Sequence, residues 1–352
     1  MGFLESVTQV LEYFTGPGRP SRIRLEPGRF AVTCVNHWVI GLALVATGLA
    51  AQETPRPNRV AWFAGFPEPL PEGVTEVALE ATSQMLRPDL ERSADRRTFA
   101  RLDGEEWQLT GDWATQAGPG RFNVRVRVAS RSGGIADQAM VSWHTLFHLP
   151  QGGRLDAPKN RLADHLERDG RVIGDLSRPG VALMDLDLAW VLPFGTRDAG
   201  GRVGASVQLP TGKQADFSGS GSTDGMVGAA AWKKLGPWRL ATQVERVVLG
   251  LPKDSPLRLV MDRTAFNRAW GTVGWVGDGP GLLSGLGVEV SVGYAGSPYK
   301  VGLTRLDPAG WQQHWTFRHT RLPRWRFGFS EEAGTFVAPD ITGFVAYTFG
   351  DR

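Results

Sequence analysis

From Glu76 onward, apolar and polar residues alternate in runs of about ten, the period and length of strands that cross a membrane at a tilt. Phe122, Val124, Val126 and Val128 fall on one face of such a run, and Asn123, Arg125 and Arg127 on the other. Trp107, Leu109, Gly111 and Trp113 alternate with Gln108, Thr110 and Asp112. Ala182, Met184, Leu186, Leu188 and Trp190 oppose Asp185 and Asp187, and Leu286, Val288, Val290, Val292 and Tyr294 oppose Glu289, Ser291 and Gly293.

The pattern predicts strands over Glu76–Leu86, Glu105–Thr115, Gly120–Ser130, Val181–Leu192, Arg202–Pro210, Asp224–Lys233, Trp238–Val248, Arg263–Val276, Leu286–Ala295, Trp311–Arg321, Arg324–Glu331 and Ile341–Phe349. Between them lie long connectors, Arg87–Gly104, Arg131–Gly180, Thr211–Thr223, Leu249–Asp262, Gly296–Gly310 and Glu332–Asp340, and short ones, including Gln116–Pro119, Lys234–Pro237 and Leu322–Pro323. A soluble sandwich also alternates, but it has no reason to sort long loops to one end and short turns to the other. The expected class is therefore all-β: a closed antiparallel transmembrane β-barrel of about 12 strands spanning residues 76–349. Its longest connector, residues 131–180, carries a short helix and is read as a plug or cap.

Composition narrows the class further. Of 352 residues, 41% are hydrophobic and 21% charged, too polar for a helical membrane protein and too apolar for a disordered one. Glycine (45) and proline (23) suit many strands and tight turns. Trp190, Trp232, Trp238, Trp311 and Trp325 fall near predicted strand ends, where an amphipathic ring sits at a membrane boundary. The net charge of +3 comes from interspersed acids and bases, which gives no footprint for nucleic acid, and the single cysteine, Cys34, rules out a disulfide framework. Trp38–Ala51 is an uncharged apolar stretch too short to span as a helix, preceded by Arg19, Arg22, Arg24 and Arg29 and followed by Gln52 and Glu53. Residues 1–51 are thus expected to be an extension with an export signal, and 52–75 a periplasmic spacer.

The run Trp143 to Arg154, with His144 and His148 inside it, then Leu209-Pro210-Thr211-Gly212-Lys213 and Gly219-Ser220-Gly221-Ser222-Thr223-Asp224, resembles the landmarks of a bacterial family known as domain of unknown function 3187. The resemblance extends over Phe66 to Phe349 and implies a barrel in the outer membrane of a Gram-negative bacterium, with no activity to carry over. The final run ending at Phe349 resembles the C-terminal signal read by the barrel-assembly machinery, which makes that machinery and outer-membrane lipid the expected partners, with a small-molecule solute.

Candidate chemistry is sparse. His144 and His148 have a ligand spacing, but Thr145 stands where a zincin has Glu and no third ligand follows at motif distance, so no metal and no cofactor are expected. Gly212-Lys213 lacks the Walker spacing, since Val207 and Gln214 occupy its other key positions. The lumen is more informative: Asp112, Arg125, Arg127, Asp185, Asp187, Glu245, Glu289 and Arg326 are the lumen or constriction candidates, with Arg318 and Arg324 of the same pattern. Trp143, His144, Arg154, Thr211, Gly212, Gly219, Gly221 and Asp224 are the loop landmarks. The expected function is a channel or uptake pore for a small molecule, partly occluded by the long loop. A membrane-embedded lipid hydrolase, using Ser142 and His144 or the strand bearing His314 and His319, and a structural barrel without transport are the alternatives.

Overall fold

The computed structural model describes residues 76–134, 137–146, 151, 155–156, 158–216, 218–277, 284–297, 299–303, 310–333 and 341–349. The expected export signal and spacer, residues 1–75, lie outside them. In chain order the strands are β1 (Glu76–Arg92), β2 (Thr98–Ala117), β3 (Gly120–Ser132), β4 (Asp164–Arg168), β5 (Arg171–Leu176), β6 (Gly180–Leu183), β7 (Leu186–Gly195), β8 (Ala199–Leu209), β9 (Asp224–Leu235), β10 (Trp238–Val248), β11 (Ala265–Val276), β12 (Leu286–Ala295), β13 (Gly310–His319), β14 (Trp325–Ala333) and β15 (Ile341–Phe349). Helix α1 (Asp137–Leu146) and a 3-10 turn at Pro256–Leu259 interrupt them.

The pairings close on themselves. β1 joins β2 on one edge and β15 on the other. From β2 the ladder runs to β3, β7 and β8, then through each successive strand to β15, every pair antiparallel. Twelve strands thus form a ring without a free edge, the arrangement that satisfies every backbone group where no water is available.

The ring is inside-out relative to a soluble protein. On β3, Val126 and Val128 are exposed while Arg121, Asn123, Arg127 and Arg131 are buried. On β10, Trp238, Leu240, Val244 and Val248 are exposed while Glu245 and Val247 are buried. Only a solvent of hydrocarbon outside rewards that distribution. At the rim where β1 begins and β15 ends, Trp190 and Trp238 face outward, Trp113 meets Phe122 edge-on at 6.3 Å, and Trp325, Tyr347 and Phe349 form a run of edge-on contacts at 4.9 and 4.7 Å. Turns at this rim are tight where Gly118 and Gly236 adopt φ of 58° and 60°, a conformation glycine enters without a Cβ clash.

Several expectations need correction. Arg87–Gly104 is not a long connector: β1 and β2 run on past the belt, and only residues 93–97 turn. Pro88 lies at the register shift between Leu86 and Asp89, so a bulge absorbs it and the strand runs on. The strand expected over Val181–Leu192 is two, β6 on the outer part of β3 and β7 on its inner part, broken at Met184 and Asp185. The 131–180 connector has strands of its own: β4 pairs with Thr98–Arg101 of β2 beyond the end of β3, and β5 with β4, so they extend the wall. Trp232 shares the inner register of Gly200 and Ala241 and donates its Nε1–H to the Thr196 carbonyl, 3.1 Å away, instead of joining the outer girdle.

Candidate functional site

The inner wall carries the site. Inward positions follow from the register, because residues facing each other across a ladder point to one side of the sheet. One inward row crosses five strands: Asp112 on β2, Arg125 on β3, Asp187 on β7, Gln208 on β8 and Asp224 on β9. Arg125 grips Asp112 with two bonds, Nε to Oδ1 at 2.6 Å and Nη2 to Oδ2 at 2.9 Å. Such a planar fork holds both side chains flat against the wall. Arg127 donates to Asp187 over 2.8 Å, and both side chains are buried.

Farther round the ring, Arg268 on β11 lies 2.5 Å from Glu245 on β10, which also accepts from the Gln243 amide. Glu289 on β12 pairs with Arg318 on β13 at 3.3 Å, and Arg326 on β14 is registered opposite Arg318. Arg202 reaches Gln243 over 3.0 Å. Buried charges need such partners, since an isolated ion in a dry interior costs several kcal/mol. Of the expected lumen residues, Asp112, Arg125, Arg127, Asp187, Glu245 and Glu289 enter these pairs.

Asp185 departs from the rest. It stands in the break before β7, and its oxygens accept from the backbone N–H groups of Gly212 (2.8 Å) and Ser220 (2.9 Å). Thr211 donates its hydroxyl to the Met184 carbonyl at 2.8 Å, and a Cβ on Gly219 would collide with the Asp185 carboxylate. Asp185 therefore fastens the Leu209-to-Asp224 loop to the wall. Gly221, at φ +68°, turns that loop, and Asp224 ends it by accepting from Ser222 Oγ (3.1 Å) and Gly250 N–H (2.9 Å).

Sequence reasoning missed other members. Glu106 and Arg131, registered opposite each other, form a buried pair farther out along β2 and β3 than Asp112 and Arg127, and Arg131 also donates to the Asp216 carbonyl. Both share the parity of the residues that were picked out, so the alternation itself could have found them. Trp270 faces inward on β11 opposite Gly293, whose missing side chain makes room for the indole, and the His314 ring lies 4.9 Å from it.

At the outer rim an apolar cluster continues the inner wall. Met226, Val247 and Phe266 face inward at the outer ends of their strands and cluster with Leu249, Leu251, Leu257, Val260 and Met261 of one loop and Tyr299, Val301 and Leu303 of another. Leu166 and Leu176 of the β4–β5 hairpin join them. Helix α1, in the loop expected to plug or cap the barrel, follows Gly134, which lies against Glu105, a residue with the outward parity of β2. Asp137 of the helix accepts from Asn160 N–H (2.6 Å), and Gln138 accepts from Lys159 (2.6 Å). Trp143 and His144 are on α1; Arg154 lies outside the described residues.

Residues 94–242 match the family described as Protein of unknown function (DUF3187). The chain is similar in fold to the COG4313 outer membrane channel from Pseudomonas putida F1, with a TM-score of 0.51 and 12% identity over 82% of this chain and 100% of that one. It also aligns with the toluene transporter TodX of P. putida at a TM-score of 0.38 and 9% identity, over 80% of this chain and 91% of that one. No curated protein matches the chain in sequence.

Proposed function

We propose that the chain, exported by its N-terminal signal, is an outer-membrane channel for a small solute. The observation that carries the reading is the closed ring with apolar side chains outside and Arg–Asp and Arg–Glu pairs inside. A water-filled bore solvates such pairs, whereas a dry one would be filled at lower cost by apolar side chains. The likeness in fold to a channel agrees with this. The outer apolar cluster of the 249–264 and 296–303 loops supports partial occlusion from that end. Paired charges leave the wall nearly neutral and polar, suited to a solute that exchanges hydrogen bonds without carrying a large charge.

The test is ion conductance of the purified full chain in planar bilayers. Discrete, reproducible unitary steps are expected. Their absence from a chain whose unheated gel band shifts on boiling would leave a structural barrel, and release of fatty acid from phospholipid would favour the hydrolase instead.

A further inference from the structure

We propose that the outward face of the β1–β2 hairpin, at Arg92, Phe99 and Arg101, binds the phosphorylated saccharide headgroup of lipopolysaccharide in the outer leaflet; this rests on the outer-membrane reading above. Arg92 is registered opposite Phe99, and its guanidinium carbon lies 5.3 Å from the ring centroid. Arg101, two residues along the same face of β2, lies 5.9 Å from that centroid. Both arginines are exposed. The ring orders two guanidiniums side by side by cation–π attraction and leaves their N–H edges turned to the surroundings.

What makes the pair a site is its position relative to the carboxylates of that face. Asp169 is held by Arg97 through two bonds of 2.7 and 2.8 Å, and Asp103 by Arg161 at 2.5 Å. Glu167 of β4 and Asp175 of β5 lie on the far side of Phe99 and Arg101 from Arg92, against the His165 ring at 3.4 and 3.5 Å. On the β1–β2 side the two guanidiniums therefore offer planar donors matched to phosphate oxygens.

Height selects the source of that phosphate. Arg101 shares its face of β2 with Leu109 and Trp113, which are 49% and 40% exposed to the belt. It lies twelve residues from Trp113, which stands at the rim where β1 begins. With a rise of ~3.3 Å per residue and a tilt of ~40°, that separation is roughly 30 Å along the membrane normal, just beyond an apolar band of about 25 Å. This is where the phosphorylated sugars of the outer leaflet stand.

The experiment uses the full chain extracted from outer membranes in mild detergent, with retained lipopolysaccharide measured per protein by phosphate and lipid assay. Wild type should retain it. The double variant R92A/R101A should retain several-fold less, a Lys253→Ala control should match wild type, and purified lipopolysaccharide should rebind while its dephosphorylated form does not. Equal retention in R92A/R101A, with an intact heat-shifted gel band, overturns the site, as does full displacement by inorganic phosphate, which would mark a free-anion site. If the chain is missing from the outer-membrane fraction, the localisation fails, and rebinding from lipopolysaccharide micelles still decides the site.

Discussion

Arg127 donates to Asp187 across 2.8 Å with their side chains only 7% and 4% exposed, at the level where β3 changes partner from β7 to β6. The bond seals the wall beside a break in its ladder, since the Met184 N–H already bonds to the Arg127 carbonyl at 2.9 Å. Asp187→Leu should therefore leave a buried cation and cost about 3–5 kcal/mol, while Arg127→Leu with Asp187→Leu recovers most of that loss. Urea unfolding in detergent, followed by tryptophan fluorescence, reads the cycle. A loss in the double variant equal to the sum of the two single losses would mean that the pair is not coupled.

Asp185 holds the outer loop by accepting from the Gly212 and Ser220 N–H groups. Asp185→Ala would leave both donors without that acceptor, at a cost of about 1–3 kcal/mol. Protease cutting within the Leu209-to-Asp224 loop should therefore be faster in Asp185→Ala, with Asp185→Asn, whose amide oxygen still accepts, between it and wild type. Equal cutting in all three would mean that other bonds hold the loop.

The distinction between the two faces can be tested within one strand. Val244 on β10 is outward and 54% exposed, and Gln243 beside it is inward. Val244→Arg should cost about 2–4 kcal/mol if it meets hydrocarbon near mid-span, and should lower the yield of heat-shifted barrel. Gln243→Arg, two residues from Glu245 and beside Arg202, should assemble far better. Equal yields would point to water on both faces.

How much of this was legible in the sequence depended on the range of the interaction. Parity is local, so Arg125, Arg127, Asp112 and Asp187 could be placed on one face from alternation alone. Their partners could not: that Asp112 meets Arg125 while Arg127 meets Asp187 depends on registers set between strands, one of them across a fifty-residue excursion. Asp185 has the parity of Asp187, yet it ties down a loop because the strand breaks at that residue. The strand expected to stop at Leu86 runs on, because a bulge at Pro88 carries the chain past that point. The outer cluster was illegible for another reason. Leu249, Leu251, Leu257, Val260 and Met261 follow no period, since they pack through a 3-10 turn at Pro256–Leu259 and not along a strand or helix.

Trp270 offers the sharpest test of throughput. Its indole is inward, lies over Gly293 and approaches the His314 ring at 4.9 Å with a 53° tilt. A bulky inward ring beside a glycine narrows the bore on one side and leaves a shelf for the ring on the other. Trp270→Ala removes the ring, so unitary conductance should rise. Gly293→Ala puts a methyl where the ring now rests and drives the indole toward the axis, so conductance should fall. General loosening of the barrel would move both variants the same way, which makes opposite signs from two adjoining positions the expected mark of a constriction there. Unchanged conductance in both would place the narrowest point at the outer loops, and deletion of residues 251–260 should then raise conductance where Trp270→Ala did not.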